Sequence, residues 1–397
     1  MMSSAHALQT QLSYANIQLI FSGDEYYVHM IEQINNAKKS ICIESYIFDL
    51  DPIGLKILHA LEMASKRGVH IRVLVDGVGT YNWIHQLKKE CHNRKIYFRT
   101  YHPIPLFSDL WSHISWKNLN RMLLLFRRIN KRNHRKVTLI DNTTVLMGSF
   151  NISQVHSETY MGKKAWRDSG LIANQFFDPT ELQNLQDAFD EAWKTSKYFS
   201  RSHLRSFLRR RWRKSKLIKS RFRLNSRPYW RFRLLRDLNA KIKQSQNLVY
   251  ITNAYFVPRK SILHNLRRAA RRGVEVVLLL PEKTDVWFVR EASRSLYRRL
   301  LLSGAKIYEY HPRVLHAKTL IIDDWATVGS HNLNHRSFNH DLEVESVLTE
   351  PELISNLKKQ WQEDLKKSKE VTIQELGKYS FLRRIVSRIL YWFRFWL

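Results

Sequence analysis

Two short segments of the chain carry the same reactive side chains at the same spacing. Both read His-x-Lys-x4-Asp and are followed by Gly-Ser-x-Asn. The first pattern supplies His134, Lys136, Asp141, His316, Lys318 and Asp323, and the second supplies Ser149, Asn151, Ser330 and Asn332. Alternate residues of an extended strand share a face, so the histidine and lysine of each copy point to the same side. If the copies pair about a pseudo-twofold axis, two imidazoles and two ammonium groups meet in one pocket.

Such a pocket suits displacement at a phosphodiester without a metal ion. One imidazole can attack phosphorus to form a phosphohistidine, while the other protonates the leaving alkoxide and later deprotonates the acceptor. The ammonium groups stabilise the charge that spreads over the phosphoryl oxygens, and the serine and asparagine side chains are neutral donors that bind the same phosphate. We assign His134 as the nucleophile and His316 as the acid and base, and the opposite assignment stays open because nothing in the sequence distinguishes the two.

Carboxylates are expected behind the two imidazoles, because such a pairing fixes the tautomer of a reactive histidine. Asp168 in Trp-Arg-Asp and Glu343 in Asp-Leu-Glu are the candidates, with Glu345 as the alternative to Glu343. Asp141 and Asp323 belong to the candidate catalytic set through their motif. Four apolar or small residues separate each from its lysine, so anchoring the end of a strand is an equally open role for both.

An internal duplication indicates which elements position these residues. Residues 57–61 and 67–71 return as 262–266 and 272–276 at one constant offset. In each copy an apolar β-type run leads to a helical pattern ending in Arg-Gly, and a second apolar run follows. This order predicts parallel strands joined by right-handed crossovers. We therefore expect an α/β fold of two similar halves, each a mainly parallel β-sheet flanked by helices, with the active site between the halves.

The chain has 397 residues and a large excess of positive charge. Its 66 Lys and Arg against 35 Asp and Glu give a formal net charge of +31, which predicts a polyanionic partner: nucleic acid, an anionic membrane surface or a phosphorylated substrate. With 44% apolar residues the chain can bury a sizeable core, so a disordered protein is excluded. Two cysteines, Cys42 and Cys91, favour a reducing compartment over a disulfide scaffold. We find no secretory signal and no apolar run long enough to span a bilayer, so membrane contact is expected to be peripheral.

Two basic segments rich in aromatic residues are candidates for that contact. About half of the excess charge lies in residues 201–236, where twelve arginines and three lysines stand with no acidic residue among aromatic and leucine side chains. Residues 379–397 repeat the pattern, and on a helix most of their apolar residues form a stripe typical of an in-plane membrane anchor. Basic residues near anionic lipid contribute favourable binding free energy, which favours this interpretation. The alternative for both segments is a helix packed on the protein's own core with its arginines in water.

These features divide the chain into four expected regions. They are a first half over residues 1–200, a basic aromatic membrane-facing segment over 201–236, a second half over 237–370 and a basic amphipathic tail over 371–397. The first half carries an insertion within residues 81–133 that the second lacks, and its tryptophan and leucine residues favour a substrate-facing lid.

At the paired motifs the sequence resembles the phospholipase D superfamily, whose HKD motifs they match. Within it the chain looks most like the bacterial cardiolipin synthases, particularly the B-type enzymes that lack N-terminal transmembrane helices. The resembling stretches are residues 44–48, 76–77, 166–168, 255–258, 315–318, 325–330 and 332–337. The resemblance implies transfer of a phosphatidyl group from phosphatidylglycerol to a second phosphatidylglycerol or a related alcohol, with no cofactor and no metal ion. It also implies a peripheral place on the cytoplasmic side of the bacterial inner membrane.

Other functions stay open at this level. Hydrolysis to phosphatidic acid or exchange with serine would use the same phosphohistidine with another acceptor, and acceptor choice depends on the shape of the pocket. A nuclease of the same superfamily would use the positive charge and the aromatic residues to bind a single strand. Those aromatic residues are mixed with Leu and Ile and are densest at the end of the chain, so no nucleic acid is expected. A non-catalytic membrane tether does not explain why both copies keep histidine and lysine in register. The sequence makes no prediction of a protein partner.

Overall fold

The computed structural model describes residues 15–103, 130–176, 178, 180–196, 220–378 and 380–395. Most of the predicted lid, residues 104–129, therefore lies outside the described residues, as do residues 197–219 of the basic segment and the last two residues of the tail.

Fifteen strands are found in the described ranges. They are β1 (Asn16–Ile20), β2 (Ser40–Ser45), β3 (His70–Asp76), β4 (Tyr97–Tyr101), β5 (Val137–Ile140), β6 (Thr144–Gly148), β7 (Gly170–Asn174), β8 (Phe222–Leu224), β9 (Leu248–Asn253), β10 (Glu275–Pro281), β11 (Lys306–Tyr310), β12 (Lys318–Ile322), β13 (Trp325–Gly329), β14 (Val344–Leu348) and β15 (Ser368–Glu370).

The α-helices of the same ranges lie between these strands. They are α1 (Gly23–Asn36), α2 (Pro52–Lys66), α3 (Ile84–Asn93), α4 (Glu158–Met161), α5 (Thr180–Ser196), α6 (Pro228–Gln244), α7 (Lys260–Arg271), α8 (Trp287–Leu301), α9 (His335–Asn339), α10 (Pro351–Lys366), α11 (Ile373–Gly377) and α12 (Phe381–Trp392). Short 3-10 helices span Tyr81–Trp83, Gln154–His156 and Gly162–Lys164.

The strands form two sheets with the same inner order, which confirms the two similar halves. The first sheet runs β1-β7-β6-β5-β2-β3-β4, and the second runs β15-β11-β10-β9-β12-β13-β14-β8. Six strands of each sheet correspond one to one. In the first sheet they are β7-β6-β5-β2-β3-β4, and in the second they are β14-β13-β12-β9-β10-β11. The duplication seen in the sequence is therefore a duplication of topology.

Each sheet is mixed, so the expectation of mainly parallel sheets needs correction. β2, β3 and β4 pair in parallel through the predicted strand-helix-strand units, as do β9, β10 and β11. The strands that carry the His-x-Lys motifs extend each sheet in antiparallel fashion. The reason is the length of the connections: β5 and β6, like β12 and β13, are joined by tight turns, which only antiparallel neighbours allow.

The predicted unit around α2 shows how the sequence sets these elements. Asp51 caps the helix by accepting the backbone N–H groups of Ile53 and Gly54, and Pro52 occupies the first helical position. The helix ends before Gly68, whose φ of 86° is a left-handed conformation that favours glycine. Ile57, Leu58 and Leu61 of α2 are fully buried in the core of the first half.

The halves share a core between their sheets. Outer faces are covered by their own helices, α1 to α3 in the first half and α6 to α8 in the second. The inner faces meet, where Met147 and Leu171 of the first sheet join the same apolar cluster as Ala326 and Val344 of the second. The two sheets therefore pack against each other along one apolar seam.

Residues 220–236 take part in the fold of the second half, which differs from the expected separate membrane-facing segment. Phe222–Leu224 adds β8 to the edge of the second sheet beside β14. Residues 228–236 begin α6, whose Leu234 and Leu238 are buried. For this part of the segment, the alternative of a helix packed on the protein's own core fits the structure.

Candidate active site

The two histidines are anchored by backbone bonds that cross between the halves. The backbone N–H of His134 donates to the carbonyl oxygen of Leu342 at 2.9 Å, and that of His316 donates to the carbonyl oxygen of Arg167 at 2.8 Å. Leu342 precedes Glu343, and Arg167 precedes Asp168. Each histidine is thus fixed beside the carboxylate of the other half.

The side chains pair in the same crossed fashion. His134 Nδ1 lies 3.0 and 3.1 Å from the two carboxylate oxygens of Glu343. His316 Nδ1 lies 2.6 Å from Asp168 Oδ1. With the Nδ1 proton directed at a carboxylate, each imidazole presents an unprotonated Nε2 on its opposite edge. The two predicted carboxylates therefore lie beside the imidazoles. Glu345, the alternative to Glu343, pairs with Arg223.

Judged by sequence order alone, each carboxylate would be paired with the histidine of its own half, and this pairing is wrong. Asp168 follows His134 in the first half, yet it contacts His316, and Glu343 follows His316, yet it contacts His134. The site is therefore incomplete in either half alone.

The two lysines stand beside the histidines and belong to the same electrostatic unit. Lys136 Nζ donates to the carbonyl oxygen of His134 at 2.8 Å, and Lys318 Nζ donates to that of His316. Burial lowers the pKa of Lys136 to about 7 and that of Lys318 to about 8, although the negative charges of Glu343 and Asp168 oppose the shift. Both side chains are buried amines whose protonated form an anionic ligand would stabilise.

The same charges keep the imidazoles neutral in the free protein. Burial and the positive charges of Lys136 and Lys318 hold the pKa of His134 well below its usual range. Burial and Lys318 lower the pKa of His316 to about 4, against the opposing effect of Asp168. Lys318 lowers the pKa of both histidines, so its ammonium group lies within electrostatic range of His134 as well as of His316. A bound phosphodiester anion would offset the lysine charges and make protonation of one imidazole easier.

Each carboxylate is itself oriented by a second donor. Glu343 accepts the hydroxyl protons of Ser330 at 2.5 Å and Ser337 at 2.6 Å. Asp168 accepts from His156 Nδ1 at 2.7 Å through its other oxygen. Sequence analysis did not single out Ser337 or His156. A signal exists in the duplication, since both are the fifth residue after the asparagine of Gly-Ser-x-Asn.

The expected phosphate-binding role does not fit the two serines of that motif. Ser149 Oγ donates to the carbonyl oxygen of Ser169 and accepts its N–H, both at 3.1 Å, and is fully buried. Ser330 Oγ is taken by Glu343 and by the N–H of Val344. Both hydroxyls have partners within the protein and serve to position strands and carboxylate.

The two asparagines of the motif are placed differently from each other. Asn151 Oδ1 accepts the backbone N–H of Ile47 at 3.4 Å. The amide oxygen of Asn332 is buried and has no hydrogen-bond partner among the described residues. The role of both as phosphate ligands stays a prediction.

Asp141 and Asp323 lie at the far ends of their strands and are not part of the pocket. Asp141 accepts the backbone N–H groups of residues 38, 39 and 40 at 2.8, 2.7 and 2.8 Å. Asp323 accepts those of residues 246, 247 and 248 at 2.9, 2.9 and 3.0 Å. Their inclusion in the catalytic set is wrong, because each carboxylate is used to fasten a turn to the neighbouring strand. The anchoring alternative is the correct one.

The shorter hairpin loop in the second half leaves the site unchanged. Ile140 pairs with Thr144 across the first turn, and Ile322 pairs with Trp325 across the second, so the missing residue is in the turn. At the other end of these hairpins Ser149 and Ser330 make equivalent backbone bonds, to Ser169 and Val344, both at 2.9 Å.

Aromatic rings line the pocket around each imidazole. The Tyr46 ring lies 5.1 Å from that of His134, and Lys136 Nζ stands 5.2 Å from the same tyrosine ring. Around His316 the rings of Trp166 and Tyr255 lie at 5.2 and 6.4 Å. Aromatic rings beside the imidazoles leave less room for water, which suits a group-transfer pocket.

The described residues contain no cluster of three or more His, Cys, Asp or Glu side chains with the arrangement of a metal site. Their helices include none that combines the length and the apolar character needed to cross a bilayer.

The chain was compared with known protein families and with solved structures. The family model described as "Cardiolipin synthase, PLD-like domain" matches residues 30–193 and 238–365, one segment in each half. The chain belongs to this family of phospholipase D-like proteins. The resemblance inferred from the paired motifs is thereby confirmed.

Relatives of this cardiolipin synthase family match over most of their length. A cardiolipin synthase of Clostridium perfringens is 32% identical, over 94% of this chain and 75% of its own. Cardiolipin synthase B of Salmonella typhi is 32% identical, over 84% of this chain and 76% of its own. A phosphatidylserine synthase of Haemophilus influenzae has a similar structure, with a TM-score of 0.70 at 16% identity and 99% coverage of both chains. That likeness shows the fold, and the α/β prediction of two phospholipase D-like halves is confirmed.

Proposed function

We propose that this protein is a phosphatidyltransferase that makes cardiolipin. It transfers a phosphatidyl group from phosphatidylglycerol to the alcohol of a second phospholipid and releases glycerol. The observation that carries the proposal is the crossed pair of histidine-carboxylate units with two buried lysines in one pocket. The names of the family members supply the substrate class.

The first step forms a covalent phosphohistidine. His134 Nε2 attacks phosphorus, the bond from phosphorus to the glycerol oxygen breaks, and His316 gives a proton to the departing alkoxide. Lys136 and Lys318 face the non-bridging oxygens and stabilise the charge that develops there. The products are phosphatidyl-His134 and glycerol, and His316 is left neutral.

The second step reverses the proton transfer with a new alcohol. Neutral His316 takes the proton of the acceptor hydroxyl as its oxygen attacks phosphorus, and the phosphorus–nitrogen bond breaks to restore His134. Water or serine in place of the phospholipid alcohol would give phosphatidic acid or phosphatidylserine.

Two features favour His316 as the proton carrier. Burial would raise the pKa of Asp168, but His316 and His156 together hold it well below the usual range, so His316 stands beside a full negative charge. Asp285 also raises the pKa of His316. Burial instead raises the pKa of Glu343, the partner of His134. An imidazolium is therefore better stabilised at position 316.

We also propose that the protein acts at an anionic membrane, on the cytoplasmic side of the bacterial inner membrane. Helix α12 packs on α8 through Leu390 and Tyr391, and Arg383 pairs with Glu291 at 2.9 Å. The same helix leaves Trp392 79% exposed. One face of α12 thus packs on the protein's own core, and the opposite face is the one that we propose contacts the membrane.

The exposed aromatic residues of the two helices lie at one end of the pair. The helices are antiparallel, since Val286 and Val289 at the start of α8 share an apolar cluster with Leu390 and Tyr391 at the end of α12. Trp287 and Phe288 therefore lie at the same end of the helix pair as Trp392 and Phe393. Val286 of this end packs with Tyr255, which flanks His316. A bilayer contacting this end would place lipid next to the pocket.

The assay for the proposed reaction uses vesicles of phosphatidylglycerol with product analysis by lipid mass spectrometry. We expect cardiolipin and glycerol from the wild type and neither from His134→Ala or His316→Ala. A phosphopeptide that contains His316 would reverse the two roles. Phosphatidic acid alone, or phosphatidylserine when serine is added, would replace the proposed acceptor.

The membrane proposal has its own test in vesicle sedimentation. Replacing Trp392 and Phe393 by Ser removes two side chains whose burial contributes about 1.5 to 3 kcal/mol each, so binding to anionic vesicles should fall at least tenfold. Tyr97→Ser, at an exposed tyrosine of β4, is the matched control and should bind as the wild type does. Equal binding by all three proteins would exclude this end as the contact surface.

A further inference from the structure

His156 is a buried histidine that takes no part in the proton transfers proposed above. Its side chain is fully buried, and it lies in the 3-10 helix Gln154–His156. Its ring centroid is 6.0 Å from that of His316, with Asp168 bonded to both imidazoles. Such a residue is either core packing or part of the reacting unit, and its hydrogen bonds decide between these roles.

The tautomer of His156 follows from its two partners. The backbone N–H of Asn151 donates to His156 Nε2 at 3.2 Å, so this nitrogen carries the lone pair. The ring proton is therefore on Nδ1, which donates to Asp168 Oδ2 at 2.7 Å. The other oxygen, Oδ1, is left for His316 at 2.6 Å. His156 thus fills one oxygen of Asp168 and sets the orientation of the other.

The segment around His156 is fixed on both sides. Asp51 accepts the N–H of Gln154 at 2.5 Å, and the N–H of Trp166 donates to the carbonyl oxygen of Val155 at 2.7 Å. The backbone beside His156 is therefore held by bonds that do not involve Asp168.

The second half supplies an independent parallel. Ser337 is the fifth residue after Asn332, as His156 is after Asn151, and it donates to Glu343 at 2.6 Å. Equivalent positions of the duplicated motif thus donate to the carboxylate in both halves, with different chemical groups. This position therefore supplies a hydrogen-bond donor to a carboxylate in each half. Packing alone would not require a donor at both positions.

We propose that His156 is a positioning residue of the transferase, which orients Asp168 so that its free oxygen binds Nδ1 of His316. The inference rests on the proposed function for its effect on catalysis. It gives His316 a histidine–aspartate–histidine chain through Asp168 and His156, and His134 a hydroxyl–glutamate–histidine chain through Glu343 and Ser337.

Two substitutions separate the bond to Asp168 from the space that the ring fills. His156→Asn places an amide N–H near the position of Nδ1 and keeps the donor to Asp168. His156→Gln places its amide near the position of Nε2, where it can still bind the N–H of Asn151 but no longer reaches Asp168. We expect His156→Gln to lower kcat by about 10- to 100-fold with little change in KM, and His156→Asn to recover most of that loss.

A pH profile distinguishes positioning from packing. Without the His156 donor, Asp168 directs more negative charge at His316, so the pKa of His316 rises by roughly 1 unit. In His156→Gln the alkaline limb of the kcat profile should move to higher pH together with the pKa of His316. In His156→Asn it should stay in place. A packing role would lower both variants equally and leave the limb where it is.

The titration of His316 also provides a readout that needs no turnover. Histidine-selective ¹⁵N NMR of the free protein, assigned with His316→Ala, reports the pKa of His316 in each variant, and thermal unfolding shows whether the variants fold. The inference is overturned if folded His156→Gln shows the wild-type titration of His316, or if both variants behave alike. A wild type that makes no cardiolipin would refute the proposed function, while the titration would still decide the role of His156.

Discussion

Asp141→Asn should weaken the fold of this protein and leave its chemistry intact. Asp141 Oδ1 accepts two backbone N–H groups and Oδ2 accepts a third, all within 2.8 Å. The substitution removes the charge and turns one acceptor towards an N–H as a donor. The φ of 52° at this residue is well tolerated by asparagine, so backbone strain does not contribute.

The magnitude follows from one lost charge-assisted bond at a partly exposed site. Such bonds contribute about 1.5 to 3 kcal/mol, and solvent reduces this to about 1 to 2 kcal/mol here. The midpoint of thermal unfolding should fall by about 1 to 3 °C, because the unfolding entropy of a chain of this length is large. Because Asp141 contacts none of the pocket residues, kcat and KM at 25 °C should stay within about twofold of the wild type. Asp323→Asn should behave in the same way.

The pH dependence of stability provides a second check on Asp141. Partial burial opposes the shift, but N–H bonds from Ser40, Lys38 and Lys39 lower the pKa of Asp141 below its ordinary value. A lowered pKa means stability that is present above about pH 4, the unfolded value, and lost as the pH falls through the folded value. The difference in unfolding free energy between wild type and Asp141→Asn should therefore shrink below pH 4.

The assay combines thermal unfolding, followed by circular dichroism, with cardiolipin formation from phosphatidylglycerol vesicles. His134→Ala is the control, since it should lose activity without the fall in unfolding midpoint that is expected for Asp141→Asn. A variant Asp141→Asn with the wild-type midpoint and a hundredfold lower kcat would refute the reasoning and return Asp141 to the reacting groups.

Three further outcomes follow from the pocket and the seam. Ser337→Ala removes a donor to Glu343 and should lower kcat by about tenfold, whereas Ser149→Ala, which breaks bonds only to Ser169, should keep kcat within about twofold; equal losses would contradict this assignment. As the pH rises through 7 and 8, buried Lys136 and Lys318 lose their charge in the free protein, so KM for phosphatidylglycerol should rise between about pH 7 and 9; a flat KM would count against lysine binding of the phosphate. Arg167 is buried and bonded to Asp364 at 2.8 and 3.1 Å across the halves, so Asp364→Ala leaves it without its counter-charge. The substitution should lower the free energy of unfolding by about 3 to 5 kcal/mol, measured in denaturant. A loss under about 1 kcal/mol would refute a structural role for the pair.

The sequence by itself determined the chemistry of the site and the plan of the fold. The repeated His-x-Lys spacing identified both imidazoles and both lysines, because such patterns are local and a strand presents alternate residues on one face. The repeated strand-helix-strand units predicted two α/β halves for the same reason, since hydrophobic periodicity and glycine caps are read within a few residues. The anchoring role of Asp141 was left open because its partners, residues 38–40, are distant in sequence.

Only the tertiary structure decided which groups act together. Glu343 serves His134 and Asp168 serves His316 because the backbone segments of the two halves pair across the seam, at Leu342 and Arg167. The isolated bridges of Asn133 with Leu342 and of Arg167 with Leu315 belong to the same docking. These contacts join residues far apart in the chain, and their partners are set by the packing of two sheets, which no local pattern encodes.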